Sequence, residues 1–143
     1  MTSSSKQKLF LFCAMGCLGM TTEIFFTAFY GLYYGTMDIQ MKGFSYIWMF
    51  PIYGLAGIAF PPILKLIQNW NVLLRMCVYA VGILAVEFAT GWFLEVTTGQ
   101  CPWEYKEGWH LMGYIRFDYF PFWALFGLMV ELALKFLMRL RIE

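Results

Sequence analysis

Four apolar runs, each long enough to cross a bilayer, constrain this chain more than any other feature. They extend from about Leu9 to Met37, Phe44 to Leu64, Met76 to Leu94 and Phe117 to Leu134. A helix rising about 1.5 Å per residue needs about 20 residues to cross roughly 30 Å of hydrocarbon. Backbone N–H and C=O groups find no water there, so each span must satisfy its own, as an α-helix does. The pattern predicts an all-α integral membrane protein, a four-transmembrane-helix bundle forming a single membrane domain over residues 1–143. Its helices are expected at about 9–37, 44–64, 72–95 and 117–138, with one longer outer loop over 96–116. The fourth run is the most interrupted, by Asp118 and Glu131.

Composition leads the same way. Hydrophobic residues make up 61% of the chain and charged residues 13%, against about 25% charged in a soluble domain. A fold of 143 residues leaves much of its surface exposed, so this apolar content needs lipid as its solvent and partner. A net charge of +1 suggests no nucleic-acid partner. Cys13, Cys17, Cys77 and Cys101 form no paired CxxC units, so neither a disulfide framework nor a metal site is indicated, and no cofactor is named. Lys6 and Lys8 before an apolar core resemble the start of a signal peptide. No small-x-small cleavage pattern follows and the run continues past Glu23, so a retained first span is expected.

Basic residues set an orientation. Lys6, Lys8, Lys65, Arg75, Lys135, Arg139 and Arg141, seven in all, fall on one side, and Lys42, Lys106 and Arg116, three in all, on the other. The positive-inside rule then predicts cytosolic termini, with the 38–43 and 96–116 loops on the opposite side.

The chain also repeats itself. The stretch from Gly43 to Gly57 aligns without gaps on that from Gly113 to Gly127, matching glycine, Phe-Pro51 on Phe-Pro121, leucine and glycine. Upstream of each stands an apolar helix with an internal glutamate and a nearby threonine: Glu23 with Thr27, and Glu87 with Thr90. Two repeated helical hairpins are expected, related by a pseudo-twofold axis along the membrane normal.

Glu23 and Glu87 carry the strongest chemical hint. A charged carboxylate at mid-membrane costs about 2.5–3.5 kcal/mol on insertion scales, so such groups face a bundle interior. Glu23 lies 15 residues from Lys8 and Glu87 lies 12 from Arg75, which places them within about one helical turn of each other in depth. A shared interior site would hold a proton, a cation or a ligand amine. Two neutral acids bonded to neighbouring helices are the structural alternative. Glu87, Gly91 and Glu95 share a helix face, with Gly91 allowing a close approach. Glu131 and Lys135, four apart, are expected to pair. Over the site lies the loop Cys101-Pro-Trp-Glu-Tyr105, followed by His110, Arg116 and Asp118. His110 reads as an interfacial hydrogen-bonding residue rather than a metal ligand.

The runs Gly19-Met-Thr-Thr-Glu23-Ile-Phe-Phe-Thr27-Ala28, Glu87-Phe-Ala-Thr90-Gly91, Cys101-Pro-Trp-Glu-Tyr105 and Met112-Gly-Tyr-Ile-Arg-Phe-Asp118-Tyr119 carry a resemblance. With the closing Leu-Met-Arg-Leu-Arg-Ile-Glu, they make nearly the whole chain similar to the transmembrane protein 229 family, above all its B-type members. The chain is more distantly similar to bacterial membrane proteins labelled type IV ABC-transporter, or CmpB-like. The resemblance implies a multi-pass helical membrane protein. A transporter role would require a separate ATPase, since no nucleotide-binding motif is present.

The sequence thus predicts a multi-pass membrane protein binding or moving a small cation, proton or amphiphile through an interior carboxylate site, as a homo-oligomer. Glu23, Thr27, Glu87, Gly91, Trp103, Tyr105, Asp118 and Tyr119 are its candidate ligand-binding residues. Two rival readings stand beside it: a non-catalytic assembly or scaffold subunit, and an intramembrane lipid-modifying enzyme using paired carboxylates as acid and base.

Overall fold

The computed structural model describes residues 3–36 and 39–140. Four helices carry the chain: α1 (Ser3–Tyr33), α2 (Met49–Ile67), α3 (Val72–Thr98) and α4 (Phe120–Arg139). Each is long and apolar enough to cross a membrane, and only 17–28% of the residues in their apolar windows are buried. Side chains such as Phe25, Leu55, Phe93 and Leu132 therefore lie on the surface, which only an apolar solvent or partner can cover.

Element ends follow local chemistry. Asn71 caps α3, its side chain accepting from Leu73 N–H at 2.8 Å, and Gly99 closes it in a left-handed conformation with its N–H on the Glu95 carbonyl. Pro51 and Pro121, equivalent in the repeat, each fall in the first turn of a helix, where a missing N–H costs nothing. Helix α1 stops at Tyr33 where 37 was expected; residues 37 and 38 lie outside the described residues. Helix α2 begins at Met49 rather than 44, because residues 41–46 run without helix. The Thr27 hydroxyl holds that segment, accepting from Phe44 N–H at 2.9 Å and facing the Phe44 carbonyl at 2.9 Å. Helix α3 runs on to Thr98, past the expected 95.

The expected irregular loop contains a short antiparallel hairpin, β1 (His110–Leu111) and β2 (Ile115–Arg116), with His110 opposite Arg116. Its turn uses positive φ at Met112 and Gly113. A single 3₁₀ turn, Phe117–Tyr119, leads into α4.

The chain forms two compact units, Met1–Pro62 with Leu134–Glu143, and Ile63–Ala133. In the first, α1 and α2 pack antiparallel through glycines, and a Cβ on Gly57 would strike the backbone of Leu11 and Phe12. Gln7 donates to the Leu140 carbonyl at 3.2 Å. In the second, α3 and α4 pack around Tyr79, Ala80 and Leu84, with Gly127 against Tyr79. Gly57 and Gly127 are equivalent in the repeat, and each lets its helix approach the preceding helix of its own hairpin closely.

Candidate functional site

Glu23, on α1, is bonded within its own unit. Its Oε2 accepts from Ser45 Oγ at 3.1 Å and from the Tyr53 hydroxyl at 3.1 Å. Thr27, one turn further along, fixes the extended segment that delivers Ser45. Thr27 therefore positions a donor rather than lining the carboxylate.

Glu87, on α3, is built the same way in the second unit. The Tyr105 hydroxyl donates to its Oε1 at 2.9 Å. The Trp123 indole N–H faces the same carboxylate, yet neither it nor Oε2 closes a hydrogen bond, and both atoms are buried. Trp123 aligns with Tyr53 in the repeat. Each internal glutamate thus meets a polar aromatic from the equivalent position of the following helix. A second equivalence holds one turn on. Thr27 engages Phe44, and Gly91, in the corresponding place, carries Tyr114, the equivalent of Phe44.

The loop reaches Glu87 through a chain of contacts. Tyr105 meets the Tyr119 ring edge-on at 5.8 Å. Arg116 donates to the Tyr119 hydroxyl at 3.3 Å and stacks 4.4 Å over its ring. Arg116 also pairs with Asp118, and that carboxylate raises the guanidinium above its ordinary range. Burial, then the nearby Glu87 carboxylate, raise the Tyr105 phenol, which stays neutral as a donor. Trp103 braces the hairpin, its indole donating to the Tyr114 carbonyl at 3.2 Å. The Glu95 carboxylate raises the Tyr114 phenol by hydrogen bonding, and burial raises the Cys101 thiol. His110 is exposed on β1, and among the described residues no three His, Cys, Asp or Glu side chains are grouped to hold a metal.

So Tyr105 contacts Glu87, and Tyr119, Asp118 and Gly91 belong to the network around it. Trp103 acts on the hairpin. Glu23 and Thr27 form their own cluster in the first unit. Sequence reasoning missed Ser45, Tyr53 and Trp123, although the repeat alignment already paired the last two behind two internal glutamates.

Sequence reasoning named a third carboxylate, Glu131, but missed Arg75 and Tyr79 as its partners. Glu131 on α4 is 1% exposed and takes Arg75 in a fork, Nε to Oε2 at 3.1 Å and Nη2 to Oε1 at 3.3 Å. The Tyr79 hydroxyl donates to Oε2 at 2.5 Å. The two kinds of carboxylate differ sharply. Glu131 meets a guanidinium, whereas Glu23 and Glu87 have only neutral donors and form no ion pair among the described residues.

Four helices long and apolar enough to cross a bilayer, three of them carrying internal carboxylates, make this a multi-pass helical membrane protein. The model of the family described as putative ABC-transporter type IV matches residues 10–142, and the chain belongs to that family. No solved structure matches the chain.

Proposed function

We propose that this protein is the membrane-embedded subunit of a transport assembly, and that Glu23 and Glu87 take up a proton or a small cation within the membrane. The carrying observation is the contrast with Glu131. A carboxylate in low dielectric without a cationic partner is stable only when protonated or when an outside cation joins it. Glu23 and Glu87 meet Ser, Tyr and Trp donors, all neutral. Such a group exchanges a proton for a cation, whereas an ion-paired Glu131 does not. The family name supports transport, and any ATP-driven step would come from a separate nucleotide-binding subunit, because no phosphate-binding loop occurs here. The seven-to-three basic asymmetry supports cytosolic termini. The Cys101-Pro-Trp-Glu-Tyr105 string, which delivers Tyr105 to Glu87, supports a narrower kinship with the transmembrane protein 229 proteins.

Dicyclohexylcarbodiimide, an apolar reagent that adds to protonated carboxyls, tests this in reconstituted vesicles. Mass spectrometry is expected to find adducts on Glu23 and Glu87 and none on Glu131. Labelling should slow as pH rises and as sodium, potassium or tetramethylammonium is added. Absence of adducts on both glutamates, or rates indifferent to pH and to every cation, would overturn the reading.

A further inference from the structure

Helix α3 has 27 residues, about 40 Å at 1.5 Å per residue, against a hydrocarbon layer of roughly 30 Å. Standing along the membrane normal it leaves about 10 Å outside the hydrocarbon, and any tilt brings more of it inside. The β1–β2 hairpin does not sit above its C-terminal end. Tyr114 packs edge-on against Phe88 at 5.4 Å, and a Cβ on Gly91 would lie 3.2 Å from the Tyr114 ring. Phe88 and Gly91 precede the last residue of α3, Thr98, by ten and seven positions, which is about 15 and 10 Å of rise. If the whole overhang lies at this end, the hydrocarbon boundary falls at Gly91. If it is shared between the two ends, the hairpin lies deeper still.

The hairpin's two sides differ as that depth requires. Gly113, Tyr114 and Ile115 are buried, while Trp109 is 79%, Met112 67% and Leu111 45% exposed. At the same level α3 exposes Trp92 and Phe93, so the apolar surface of the span continues onto the hairpin. Its backbone is internally bonded: the strands pair, Tyr114 N–H donates to the Leu111 carbonyl at 3.0 Å, and Phe117 N–H to Trp109 at 2.7 Å. The basic residues nearby are ion-paired, Arg116 with Asp118 and Lys106 with Glu104. Bonded backbone, ion-paired basic groups and exposed tryptophan are what the boundary between headgroups and acyl chains accepts.

We propose that this hairpin is a lipid-interface element, inserting Trp109, Leu111 and Met112 into the bilayer boundary rather than standing in water as a cap. The test places p-benzoylphenylalanine at Met112, and in a second protein at Lys106, in phosphatidylcholine vesicles. After irradiation, mass spectrometry should find several-fold more phospholipid adduct at 112 than at 106. A crosslinked dimer in place of lipid would mean that a second copy covers the hairpin, and equal or absent lipid adduct would mean that water does. Either result overturns the proposal. Should the Met112 variant not fold, the native fluorophore serves. Brominated phosphatidylcholine is expected to quench the parent protein more than Trp109→Phe, and equal quenching would refute insertion.

Discussion

Replacing Arg75 by methionine tests how the second unit is held. The guanidinium makes two hydrogen bonds to Glu131, at 3.1 and 3.3 Å, and its Nη1 donates to the Trp70 carbonyl at 2.9 Å. Glu131 is 1% exposed, so Arg75→Met takes the guanidinium from a buried carboxylate. Breaking such a pair from one side costs about 3–5 kcal/mol, and loss of the Trp70 bond adds about 0.5–1.5 kcal/mol. The sum, about 4–6 kcal/mol, is a large share of the roughly 5–15 kcal/mol that holds a typical protein folded. Arg75→Met with Glu131→Leu removes both charges and should recover most of the loss, since apolar residues of similar volume replace a buried pair at little cost. Denaturant titration of the two single variants and the double in micelles gives the coupling. Additive losses, or an Arg75→Met cost no larger than that of a surface substitution, would refute the reasoning.

Three further outcomes are expected. Gly57→Ala drives a Cβ into the backbone of Leu11 and Phe12, which cannot rotate aside, and should lose about 1–3 kcal/mol in the same titration. Gly82→Ala, with nothing within 4 Å of the added carbon, should instead gain about 0.5–1 kcal/mol from helix propensity. Tyr105, raised above its ordinary value of 10.0 by burial and Glu87, keeps its proton in the fold while the unfolded chain loses it. Stability should therefore fall as pH rises past about 10, and Tyr105→Phe should flatten that fall.

The spans were legible because hydrocarbon demands long apolar runs, and the repeat because Phe-Pro recurs at two helix starts and a close-packed glycine six residues later. Phe44 to Tyr46 misled the reading for a physical reason. They are as apolar as a helix start, but the Thr27 hydroxyl, distant in sequence, takes the backbone bonds that a helix would have used. At Glu131 it was incomplete. Four-residue spacing offers Lys135 but cannot show Arg75, 56 positions away on a packed neighbour, which the carboxylate also meets. Tyr105 was legible as a candidate, but its bond to Glu87 depends on a hairpin whose turn rests on two positive-φ residues. Periodicity does not register such a turn.

The central claim is that Glu23 and Glu87 are neutral acids that yield their protons to a cation. Infrared difference spectroscopy of the protein in vesicles reads this directly, through the carbonyl stretch of protonated carboxyls. Addition of sodium, potassium or tetramethylammonium should convert that band to a carboxylate band for at least one cation. Glu23→Gln and Glu87→Gln should each remove part of the change, and Glu131→Gln none of it. A spectrum without a protonated-carboxyl band assignable to Glu23 or Glu87, or one that no cation alters, would contradict the account.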